Sequence, residues 1–137
     1  MMNILKSASI VALCSLTLGC ATFPLDRSYT GTLRSVNSCP VETVFYRNAE
    51  GEILGLYVYY EGKDKRQTPG ILDSCKLNPG RILNCQWRDS YGSGNFVAVF
   101  SKGYTEFEGA WGGLYEDVLA KGASWDGKRS SGPTARK

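Results

Sequence analysis

The chain has 137 residues, 42% of them hydrophobic and 21% charged, with a formal net charge of +3. That gives room for one domain, and the charge is too mild to point to nucleic acid. Histidine is absent, which removes the usual general base and the commonest metal ligand together but leaves carboxylate and Lys chemistry. No catalytic residue, metal site or cofactor stands out, and none is expected.

The N-terminus reads as an export signal. Lys6 supplies a positive start, and residues 8–18, ASIVALCSLTL, form an apolar run. The run is too short to span a bilayer but suits the core of a signal peptide. Small residues follow at Gly19 and Ala21, and two cuts are open. One falls after Ala21 and leaves a soluble periplasmic or secreted protein. The other falls before Cys20, where LTLGC (16–20) resembles the lipobox of bacterial lipoproteins. That resemblance implies a signal peptide over 1–19, lipid on Cys20, and a membrane anchor. With Ala21 next in the chain, it also implies sorting to the outer membrane, facing the periplasm.

Export implies an oxidising compartment. After the cut and lipidation, Cys39, Cys75 and Cys85 remain. Cys75 and Cys85 flank KLNPGRILN, and a hairpin centred on Gly80 sets them opposite each other. Cross-strand neighbours lie about 4.5–5.5 Å apart, within disulfide reach. The expected bridge is Cys75–Cys85, with Cys39 left unpaired.

Beyond a short tether at 20–27, apolar alternation is broken by turn residues about every 8–12 positions, the pattern of a series of short strands. Strands are expected at 28–36, 41–47, 53–60, 68–76, 81–88, 95–101, 104–111 and 122–129. EGKDKRQ (61–67) reads as a charged loop and DSYGSG (89–94) as a Gly-rich turn. In the hairpin at 95–111, pairing Ser101 with Tyr104 puts Phe96, Ala98 and Phe100 on one face with Phe107, Gly109 and Trp111. Glu106 and Glu108 then share the other face, where they read as a solvated strand surface rather than an acid–base pair. YEDVLAKG (115–122) has room for one or two helical turns. The tail at 130–137 is polar and basic and is expected to be disordered.

The fold class is therefore all-β: one antiparallel up-and-down meander of about eight strands over 28–129, closed into a barrel, with a two-sheet sandwich as the alternative. FEGAWG (107–112) followed by WDGKR (125–129) resembles the closing segment of small exported bacterial barrel domains. The chain is also similar in outline to calycins such as avidins and lipocalins, a resemblance that implies a barrel and no particular ligand.

The aromatic residues Trp87, Trp111, Trp125, Phe96, Phe100 and Phe107 either fill such a barrel or line a pocket, and a mostly filled interior is expected. Trp111 is read as a core anchor that becomes a binding residue if the interior is open. Tyr57, Tyr59 and Tyr60 are read as an exposed contact surface, since tyrosine suits wet interfaces. The function expected is a non-enzymatic envelope binding module, its partner a protein or a small apolar ligand. Inhibition of a protease or lysozyme through the 61–67 or 89–94 loop is the alternative. Composition leaves the oligomeric state open.

Overall fold

In the computed structural model, residues 25–115 and 117–130 are described. Eight strands follow one another around a closed antiparallel barrel: β1 (Ser28–Arg34), β2 (Ser38–Arg47), β3 (Ile53–Glu61), β4 (Arg66–Asn78), β5 (Ile82–Asp89), β6 (Gly92–Phe100), β7 (Glu106–Gly112) and β8 (Ala123–Arg129). β8 returns to pair with β1, with Leu33 opposite Trp125, so no strand edge is left unpaired. A one-turn helix, α1 (Val118–Lys121), lies in the β7–β8 connection. The expected signal segment and Cys20 lie outside the described residues, as does the tail beyond Ser130.

Period-two alternation sorts each strand into an inner and an outer face. In β2, Cys39, Val41, Thr43 and Phe45 are buried while Ser38, Pro40, Glu42 and Val44 are exposed. Local chemistry sets the turns. Asn48 accepts the backbone N–H groups of Glu50 and Glu52 through its side-chain oxygen, at 3.0 and 2.9 Å, the way Asn initiates tight turns.

β4 and β5 pair about Gly80, with Leu77 opposite Leu83. The Cys75–Cys85 disulfide forms there with Cα atoms 4.0 Å apart, and Cys39 is a buried free thiol. A bulge between Asp73 and Lys76, with Ser74 in the left-handed region at φ 53°, shifts the register by one residue. It moves the inner face from Thr68 and Leu72 to Cys75 and Leu77.

One expected register is corrected. β6 and β7 pair Phe100 with Phe107, Ala98 with Gly109 and Phe96 with Trp111, two residues away from a Ser101–Tyr104 pairing. The turn is longer because Gly103 and Tyr104 both take left-handed φ values, 91° and 60°. The Ser101 hydroxyl also accepts the N–H groups of Thr105 and Glu106, at 3.2 and 3.1 Å. An even shift keeps each side chain on its face, so Glu106 and Glu108 are exposed and Phe107 is buried.

The half of the barrel near the 48–52, 79–81 and 101–105 turns is solid. Tyr29, Phe45, Phe100 and Phe107 meet in every pairwise combination, with ring centroids 5.2–6.1 Å apart. Leu25 is fully buried in the core, and the Tyr29 hydroxyl donates to the Tyr104 carbonyl at 2.8 Å. Ser28 and Ser130 are joined there by a backbone hydrogen bond, so the chain enters and leaves the barrel at this plugged end.

Candidate functional site

The opposite half is open, which corrects the expectation of a mostly filled interior. A cavity of about 470 Å³ reaches from the middle of the barrel to the end bounded by the 35–37, 62–65 and 90–91 turns. Trp125 separates the halves. Its ring sits 4.6 Å from Phe96 on the plug side and 4.7 Å from Tyr57 on the cavity side, both edge-on. Its indole N–H donates to the Thr43 hydroxyl at 3.1 Å, so this buried polar atom is satisfied.

The walls are aromatic. Tyr57 and Tyr59, two residues apart on β3, face inward with stacked rings 6.5 Å apart and are only 4% and 5% exposed. This corrects the reading of Tyr57, Tyr59 and Tyr60 as one exposed surface. Strict alternation puts the first two inside the barrel and leaves Tyr60, half-buried, on the outer face. Across the cavity, Trp87 and Trp111 meet edge to face at 5.2 Å. Each indole is anchored by a backbone carbonyl, Trp87 to Gly112 at 2.9 Å and Trp111 to Arg34 at 3.0 Å. Trp111 is half-buried: it packs on the core and also lines the cavity.

Two glycines make room for these rings. Tyr57 lies opposite Gly70 and Trp87 opposite Gly94. A Cβ on Gly70 would stand 2.2 Å from the Tyr57 Cζ, and one on Gly94 would stand 1.9 Å from the Gly112 oxygen and 2.7 Å from the Trp87 Nε1. The aromatic ring of one strand thus covers the bare backbone of the next.

Polar groups converge at the mouth. Glu61 and Asp89, the last residues of β3 and β5, both line the cavity. Asp89 accepts the Tyr57 hydroxyl at 2.7 Å and the Tyr91 N–H at 2.8 Å. Glu61 is ion-paired with Arg66 at 2.8 Å and accepts the Tyr91 hydroxyl at 3.2 Å. Burial, with the nearby Asp89 carboxylate, pushes the Tyr57 phenol far above its usual range. Burial also pushes Tyr59 up to about 12, reinforced by the charges of Asp89 and Glu61. Both hydroxyls therefore stay protonated at neutral pH. Apolar side chains rim the opening, with Val36 87% and Tyr91 62% exposed.

Of the residues singled out from sequence for binding, the structure brings Tyr57, Tyr59 and Trp111 together in one cavity and leaves Tyr60 out. Sequence does not single out Glu61 and Asp89, because EGKDKRQ and DSYGSG read as a loop and a turn. In the structure each segment begins inside a strand, at an inward position. The only available signal was the parity of the preceding aromatic residues, Tyr57 and Tyr59 before Glu61, and Trp87 before Asp89. Among the described residues no cluster of acidic or thiol side chains could hold a metal ion. Comparison with known proteins adds no identity to this geometry: no family model and no curated protein matches the chain.

Proposed function

We propose that the protein is a binding module of the bacterial cell envelope, not an enzyme, that holds a small and largely apolar ligand in the open half of its barrel. The observation that carries this reading is the cavity of about 470 Å³ walled by Tyr57, Tyr59, Trp87, Trp111 and Trp125. It falls within the size range of small-molecule sites, about 300–1,000 Å³, and has their composition of apolar walls with few polar groups. Eight strands also enclose enough space for one such ligand. The segments that an inhibitor would extend toward a protease or lysozyme are instead tight turns at 62–65 and 90–91, which favours the ligand over the inhibitor.

A titration of the full chain with the neutral dye N-phenyl-1-naphthylamine tests the cavity. One saturable site, with the dye's emission enhanced, is expected. A folded protein that gives no saturable signal overturns the proposal.

The envelope placement rests on the N-terminal segment, in which LTLGC resembles a lipobox. The described chain enters the barrel at Ser28, at the plugged end opposite the cavity mouth. Cys20→Ser is expected to move the protein from the membrane fraction to the soluble fraction. If the variant stays with the membrane, the lipid anchor is wrong.

A further inference from the structure

The cavity is unbalanced in charge. Its two charged lining residues are carboxylates, Glu61 and Asp89. Their fates differ. Glu61 is neutralised by Arg66, 2.8 Å away. Asp89 has hydrogen-bond donors, the Tyr57 hydroxyl and the Tyr91 N–H, but no cationic side chain among the described residues forms an ion pair with it. A carboxylate accepts about four hydrogen bonds, so the two donors leave acceptor capacity on Asp89. The aromatic walls contribute the same sign of potential, because the face of an indole or phenol ring is negative.

We propose that the ligand of this cavity is a small organic cation, an ammonium-type nitrogen on an apolar body, held between the aromatic walls with Asp89 as its counter-charge. The proposal rests on the ligand-binding reading above and narrows it. An anionic ligand would meet the Asp89 carboxylate and an already paired Glu61, with no cationic side chain in the lining. A neutral one would cover the half-buried Asp89 carboxylate and return no charge, an unfavourable exchange for an ionised group. A cation gains from the ring faces and from Asp89 together. The apolar rim and the Trp87–Trp111 wall suit its hydrocarbon part.

The test compares benzyltrimethylammonium with neopentylbenzene, its neutral isostere with carbon in place of nitrogen. Each displaces N-phenyl-1-naphthylamine from the full chain. The cation is expected to bind at least about tenfold more tightly than the isostere, a difference of about 1.4 kcal/mol. Asp89→Asn keeps an acceptor for the Tyr57 hydroxyl while removing the charge, and it is expected to erase most of that ratio. A general loosening of the site would weaken both probes together, so the ratio separates lost charge from lost structure. Equal binding of both probes to the wild-type chain, or a ratio unchanged by Asp89→Asn, overturns the cation proposal while leaving the cavity reading standing. If the dye itself does not bind, the cavity reading falls and the cation proposal falls with it.

Discussion

Gly70 shows how one missing side chain can shape a cavity wall. The ring of Tyr57 lies where a Cβ at residue 70 would be, and that seat lets the phenol reach Asp89 at 2.7 Å. Gly70→Ala is expected to swing Tyr57 into the cavity and break this bond. The cost expected is about 1–3 kcal/mol in urea unfolding, the usual range for overpacking a close-fitted site, together with weaker dye binding. A variant with unchanged stability and unchanged dye affinity would show that Tyr57 is seated by something else. At this scale the sequence was only partly legible. Trp111 and the tyrosines stand out by residue type, whereas Gly70 looks like any turn glycine in TPG. It becomes meaningful only once the register sets it opposite Tyr57.

Strands were the most legible elements, because alternation and turn residues act locally. Phe45 and Phe96 can be placed on an inner face from their neighbours alone. What sequence could not supply was pairing that depends on backbone geometry. The β6–β7 turn needed left-handed residues at Gly103 and Tyr104, and tyrosine gives no warning of that conformation. The β4 bulge was equally hidden, and it matters for the disulfide. Were Ser74 a regular strand residue, the inward parity of Thr68 and Leu72 would continue through it and turn Cys75 outward, away from Cys85. With the bulge, both cysteines face the interior. Spacing about Gly80 found the cysteine pair; the bulge explains how β4 can offer Cys75 to the interior while also offering Leu72. Bulges re-aim side chains in this way wherever a strand must change face.

The whole molecule divides its interior between two tasks, and the division can be measured. Phe107 belongs to the plug. It is 2% exposed and touches Tyr29, Phe45, Phe96 and Phe100. Trp111, four residues along the same strand and on the same face, is half-buried, with its ring against Trp87 at the cavity wall. From sequence alone Phe107 and Trp111 share one inner face and Trp111 reads as the core anchor, because alternation gives the face and says nothing about the depth along the barrel axis. Phe107→Ala removes a fully enclosed ring and is expected to cost about 3–5 kcal/mol, a large share of what a domain of this size has. Trp111→Ala opens onto space that is already empty and is expected to cost about 1–2 kcal/mol, within the ordinary range for point substitutions. The ligand site should respond in the opposite order. Trp111→Ala is expected to weaken N-phenyl-1-naphthylamine binding strongly. Phe107→Ala, assayed where it remains folded, is expected to weaken it little. Urea unfolding and dye titration on the two variants make the comparison. If Trp111→Ala proves as destabilising as Phe107→Ala and leaves dye binding intact, the mouth is part of the packed core and the division into plug and site is wrong.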